Sequence, residues 1–153
     1  MEKTSEKQKL DSLDNIYPVE LSPPDISAYA TGNNGIPYYT TLDSGVPGPH
    51  AAILALTHGN EICGAITLDM LFRARLMPKH GKLTLGFNNI AAYAQFDARY
   101  PSASRFVDED MNRVWAEERL SGNDHSLEVA RAREIRPLID TVDFLLDLHS
   151  MQS

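Results

Sequence analysis

Ala51-Ala52-Ile53-Leu54-Ala55-Leu56 runs without a polar interruption into Thr57-His58-Gly59-Asn60-Glu61. A continuous apolar run bounded by turn-forming residues is the pattern of a strand covered on both faces, as in a parallel sheet. From His58 to about Met77 the residues favour a helix, and Pro78 with Gly81 ends it. Lys82 to Phe87 reads as a second strand. Ala91 to Asp124 is mostly irregular. Ser126 to about Pro137 is helical, with Leu127, Ala130, Ile135 and Leu138 near one face, and Val142 to Leu148 forms the last strand. This order of strand, helix, strand, loop, helix and strand predicts an α/β fold: a mixed, mostly parallel sheet flanked by helices. Upstream, Ile26–Ala30 and Pro37–Leu42 flank Asn34-Gly35, whose preference for positive φ predicts a tight hairpin.

Two strands of that scheme end in metal-ligand chemistry. His58 follows the first, with Glu61 three residues on, and His149 closes the last. In sheets of this class, sites gather at the carboxyl ends of the strands. Two imidazoles and one carboxylate form the ligand set of a catalytic zinc ion, one per chain, with a fourth position for water. Cobalt or manganese would accept the same donors. Gly59 is expected to take the tight backbone conformation that lets His58 and Glu61 converge. Metal-bound imidazoles usually donate their second ring N–H to a carboxylate, and Asp110 and Asp147 are the candidates. Arg105 and the Asp110-Met111-Asn112-Arg113 segment add fixed positive charge suited to an acidic substrate.

The chain has 153 residues, 42% hydrophobic and 23% charged, enough for one domain with a real core. Its net charge is −7, which makes nucleic acid an unsuitable partner. One cysteine, Cys63, excludes an internal disulfide framework, and it is expected to pack as a small apolar residue. No apolar run reaches membrane-spanning length, and residues 1–17 are charged, with no secretory core. These features predict a cytoplasmic protein with a disordered leader over 1–17, followed by one unit over 18–153. His50, His80 and His125 are expected to be solvated. Arg131, Arg133 and Arg136 are expected to lie on a solvated helix face with Glu128 and Glu134.

Thr57-His58-Gly59-Asn60-Glu61, Arg105, Asp110-Met111-Asn112-Arg113 and Asp147-Leu148-His149-Ser150 together resemble the succinylglutamate desuccinylase/aspartoacylase family, a branch of the zinc carboxypeptidase-like hydrolases. Their order and spacing follow the family from about Pro37 onward. The resemblance implies that His58, Glu61 and His149 ligate zinc and that Asn112 and Arg113 clamp the substrate carboxylate. It also implies that Arg105 polarises the scissile carbonyl and that Asp110 supports the first zinc histidine. The implied activity is removal of an acyl group from an N-acyl amino acid or similar small acid, through an amide or an ester bond. A metallocarboxypeptidase-type peptidase and a non-catalytic zinc- or carboxylate-binding fragment stay open as alternatives.

In the family the general base is a glutamate several tens of residues beyond the second histidine, and no residue here matches it. The resemblance therefore implies the N-terminal part of a catalytic domain, inactive or very slow when taken alone. An exposed apolar sheet edge is expected at Phe144–Leu148. Homo-oligomerisation and pairing with a separate C-terminal half both stay open, as do the acyl and amino-acid specificities.

Overall fold

The computed structural model describes residues 18–150, so the leader expected over 1–17 lies outside the described residues. A four-stranded sheet contains β1 (Tyr39–Asp43), β2 (His50–Ala55), β3 (Lys82–Phe87) and β4 (Phe144–Leu148) in the order β1-β3-β2-β4. β1 pairs antiparallel with β3, while β2 runs parallel to both β3 and β4. The helices are α1 (Ile62–Arg73), α2 (Ile90–Tyr93), α3 (Glu117–Ser121) and α4 (Leu127–Ile139). This is the mixed, mostly parallel α/β architecture expected. No helix among the described residues is long and apolar enough to cross a membrane.

The core lies on both faces of the sheet, which explains the unbroken apolar run of β2. Ala55, Leu85 and Phe87 meet Ala65 and Leu68 of α1 on one face, with Leu56 beside them. Tyr39, Ala52 and Leu54 meet Val129, Ala132 and Ile135 of α4 on the other, with Met111 and Val114. The buried stripe of α4 is thus Val129, Ala132 and Ile135, whereas Leu127, expected inside, is 50% exposed. Ser126 caps this helix by accepting from the Val129 N–H at 3.1 Å. α1 stops at Arg73, short of the expected Met77, where Arg75 takes a φ of 50°. β4 is the least buried strand, with Phe144 66%, Leu145 46% and Leu146 54% exposed. It forms the apolar edge foreseen from the sequence.

Two expectations fail for non-local reasons. Ile26–Ala30 forms no hairpin strand; Ser27–Tyr29 is a 3-10 turn, and β1 pairs with β3. The Asn33 side chain takes the place of a strand partner. Its amide donates to the Thr41 carbonyl at 2.9 Å, and its oxygen accepts from the Thr41 N–H at 2.7 Å. The α4 arginines are also not a uniformly solvated face. Arg131 donates to the carbonyls of Pro37, Phe87 and Asn88 while pairing with Glu134. Arg133 donates to the carbonyls of Arg119, Leu120, Gly122 and Asp124.

Arg133 therefore closes the turn between α3 and α4. Arg133→Ala should destabilise the chain by about 2 kcal/mol, since hydrogen bonds from a charged donor contribute more than neutral ones. An unchanged urea midpoint would show that water replaces the guanidinium without loss.

Candidate metal centre

β2 and β4 lie side by side with Ala55 opposite Leu148, so the segments that follow them leave the sheet together. Leu56 turns the chain out of β2 with a φ of 63°, a costly conformation for a buried leucine. Thr57 and His58 follow, and Glu61 stands immediately before the first turn of α1. Gly59 lies in the tight turn expected there, closed by the Glu61 N–H on the His58 carbonyl at 3.1 Å, without a positive φ. Its role is space: a Cβ there would lie 2.4 Å from the Ala92 backbone carbon and 2.5 Å from the Ser104 carbonyl oxygen. Its N–H donates to the Arg105 carbonyl at 3.1 Å, tying the Arg105 segment to the site.

The donor atoms of His58, Glu61 and His149 lie within 4.8 Å of one another. Glu61 sits between the histidines: Oε1 is 2.9 Å from His58 Nδ1, and Oε2 is 2.8 Å from His149 Nδ1. Each far nitrogen meets a different carboxylate, His58 Nε2 on Asp110 at 2.9 Å and His149 Nε2 on Asp147 at 2.8 Å. Both Nδ1 atoms thus face inward while both Nε2 atoms are held from behind. This arrangement fits a metal ion, because each ring can offer one lone pair to a cation beside Glu61. His58 and Glu61 are buried, and His149 is more open.

Charge compensation keeps this group ionised. Burial pushes the Glu61 carboxyl up, but the His58 hydrogen bond and the charge of both histidines outweigh it and hold it below its usual range. Asp110 behaves alike: burial is overcome by His58, the Asn112 N–H and Arg105. Burial lowers His149, yet Asp147 and Glu61 together raise it. A divalent cation would add positive charge beside the same carboxylates.

Arg105 reaches Asp110 at 3.3 Å and Glu61 at 3.7 Å, so its charge lies against the cluster. Asn112 and Arg113 are the exposed residues of the 3-10 turn Met111–Arg113, which begins where Asp110 accepts from the Asn112 N–H at 2.8 Å. Arg113 donates to the Asn112 carbonyl, and among the described residues no carboxylate pairs with it. Cys63 is half-buried, and His80 and His125 are exposed as expected. His50 is not simply solvated; it reaches the Thr84 hydroxyl at 2.8 Å at the opposite end of the sheet.

Sequence reasoning missed Glu128, which it placed on a solvated face. It is fully buried and receives the N–H groups of Val107, Asp108 and Glu109 together with the Asn89 amide. It fixes the strand of loop leading into Asp110. On the far side of the 110–113 turn, Arg119 binds Glu109 at 2.6 and 2.7 Å and also binds Asp124. Arg119 holds both carboxyls below their ordinary values of 4.5 and 3.8. A depressed folded pKa contributes stability that is complete above the ordinary value and fades as pH falls through the folded one. Arg119→Met should therefore be less stable at neutral pH and lose less between about pH 5 and about pH 2. Parallel urea-midpoint profiles for the two proteins would contradict this.

The succinylglutamate desuccinylase/aspartoacylase catalytic-domain model matches residues 47–153. No curated protein gives a significant match. Among solved structures, an aspartoacylase family protein from Mesorhizobium loti aligns with a TM-score of 0.59 and 26% identity over 76% of this chain and 35% of its own. Murine aminoacylase 3 aligns with a TM-score of 0.52 and 29% identity over 67% of this chain and 35% of its own. A succinylglutamate desuccinylase from Chromobacterium violaceum shares the fold, with a TM-score of 0.56 and 19% identity over 94% of this chain and 44% of its own. The chain thus spans less than half the length of these proteins. By the extent of that sequence match and the fold that carries it, the chain belongs to the succinylglutamate desuccinylase/aspartoacylase family.

Proposed function

We propose that this chain is the metal-binding part of a zinc-dependent hydrolase that removes an acyl group from an N-acyl amino acid or a similar small carboxylate. One observation carries the reading: the Nδ1 atoms of His58 and His149 converge on Glu61 while Asp110 and Asp147 hold their Nε2 atoms. When bound, a zinc ion supplies a water of lowered pKa and polarises a carbonyl.

The remaining roles fall to the chain's own side chains. Arg105 sets a permanent positive charge beside the cluster, suited to a carbonyl oxygen that gains negative charge. Asn112 and Arg113 hold the substrate carboxylate, Arg113 through a planar pair of N–H donors that no acidic residue occupies among those described. Glu61, Asp110 and Asp147 are each engaged with a histidine. None is therefore free as general base, and the proposal assigns that role outside these 153 residues. The names of the similar proteins, aspartoacylase family protein and aminoacylase 3, support an acylated amino acid as substrate. The acidic composition and the lone cysteine accord with a cytoplasmic setting.

Elemental analysis of the purified chain should find about one zinc per chain, lost in His149→Ala. A folded chain without zinc would remove the basis of the proposal. In the catalytically competent protein, Arg113→Ala should lower kcat/KM on acidic N-acyl amino acids by about 100-fold, close to the value of a charged, two-pronged hydrogen bond. An unchanged kcat/KM would take the clamp role from Arg113.

A further inference from the structure

We propose that Tyr39 and Asn88 are positioning residues of the metal centre, acting through Thr57 and Asp147 to fix the ring of His149 with Nδ1 as its metal-facing atom. The inference rests on the metal reading above and extends it to residues that touch neither metal nor substrate.

The hydrogen bonds follow the strand order. Tyr39, on β1, donates its hydroxyl to Asn88 Oδ1 just beyond β3. Asn88 Nδ2 donates to Thr57 Oγ1, just beyond β2, at 2.7 Å. Thr57 Oγ1 donates to Asp147 Oδ2, on β4, at 2.7 Å, and the same oxygen meets His149 Nε2 at 2.8 Å. Tyr39, Asn88 and Thr57 are all buried. Asp147 Oδ1 has no hydrogen-bond partner among the described residues, so Oδ2 takes both contacts.

Donor chemistry gives the chain one direction. A carboxamide oxygen only accepts and its nitrogen only donates. Asn88 Oδ1 therefore accepts from the Tyr39 hydroxyl and Nδ2 donates to Thr57 Oγ1, which leaves the single Thr57 hydroxyl proton to point at Asp147. With the amide reversed, the Thr57 proton would turn to Asn88 and leave two oxygens 2.7 Å apart with no proton between them. Burial raises the Tyr39 hydroxyl pKa far above its usual value, so the first donor keeps its proton. Asp147 thus faces His149 as an oriented acceptor, which keeps a proton on Nε2 and leaves Nδ1, the nitrogen beside Glu61, as the one a cation would take.

A purely structural role does not require this composition. A phenylalanine at 39 with an apolar residue at 88 would fill the same space with no buried polar group to satisfy. The ring of Tyr39 is placed with care: a Cβ on Gly86, its partner across β1 and β3, would come within 2.7 Å of three ring carbons.

The test is zinc affinity of the full chain, by chelator competition, in Asn88→Asp and Tyr39→Phe. In Asn88→Asp the new carboxylate cannot donate to Thr57 and draws the Thr57 proton away from Asp147. Zinc affinity should fall by about 10- to 100-fold, as for other partners of metal-bound histidines. Tyr39→Phe, which keeps the ring, should lose a smaller factor. Nitrogen-15 spectra of the zinc-loaded proteins should show an exchange-protected His149 Nε2–H in the wild type and a faster-exchanging one in both variants. Should Asn88→Asp fail to fold, Tyr39→Phe carries the test alone. Folded variants with wild-type zinc affinity and wild-type His149 signals would overturn the inference only. A wild-type chain that binds no zinc would overturn the metal reading, and this inference with it.

Discussion

The parallel pairing of β2 with β4 is the constraint on which the rest of the structure depends. It joins residues far apart in sequence and sets Ala55 beside Leu148, so that His58 and His149 leave adjacent strand ends. Strand side chains alternate faces, so a slip of one residue would reverse Asp147 and carry His149 about 3.3 Å along the sheet. The register is pinned at its start, where the Asp143 carboxylate accepts from the His50 N–H and the Asp143 N–H donates to the His50 carbonyl, both at 2.8 Å. It is pinned again at its end, where Asp147 accepts from the Thr57 hydroxyl. α1 packs against this junction. Gly64 allows that approach, since a Cβ there would sit 2.9 Å from Ala55 Cβ and 3.3 Å from Leu148 Cβ.

Charged groups recur in the interior around this junction, and each is matched by a different kind of partner. Glu61 is balanced by two imidazoles, Glu128 by N–H groups, and Arg131 and Arg133 largely by carbonyl oxygens. A buried charge with imperfect partners costs several kcal/mol in order-of-magnitude terms, so such groups hold their surroundings in one arrangement. Glu128 is the clearest case. It ties α4 to the loop ahead of Asp110, and Asp110 in turn holds His58 and starts the turn bearing Asn112 and Arg113. The side of the centre that bears Asn112 and Arg113 is thus organised by the helix packed on one face of the sheet. The ligand side is organised by the strand ends themselves.

This division explains what the sequence made legible. β2, β3, α1 and the last strand announce themselves through apolar runs and local breakers, because burial on both faces leaves an unbroken pattern. The candidate ligand triad is legible for the same reason, since His58 and His149 follow such runs. What escaped are side chains serving backbone groups distant in sequence. Asn33 substitutes for a strand partner at Thr41, so a turn signal at Asn34-Gly35 yields no hairpin. Glu128, Arg131 and Arg133 have the spacing of a solvated helix face, yet each spans a gap to a loop that local periodicity does not register. Gly59 was legible as a turn residue, but the crowding by residues 92, 93 and 104 that also demands a glycine was not.

β4 shows why fold and site are not separable here. It contributes a metal-ligand candidate, yet its own apolar residues Phe144, Leu145 and Leu146 remain largely exposed, and they give little of the burial that would hold a strand in place. Its attachment therefore draws on the backbone ladder to β2 and on the polar contacts at both ends, from Asp143 to Asp147 and His149. A cation held jointly by His58, Glu61 and His149 would bind only when β4 is docked in register. By linkage, its binding free energy would count toward that docking. Closing residues 58 to 149 in this way would also restrict the open ensemble, as any long-loop cross-link does. The same geometry that gathers His58, Glu61 and His149 at the strand ends would let a bound cation hold the least buried strand of the sheet.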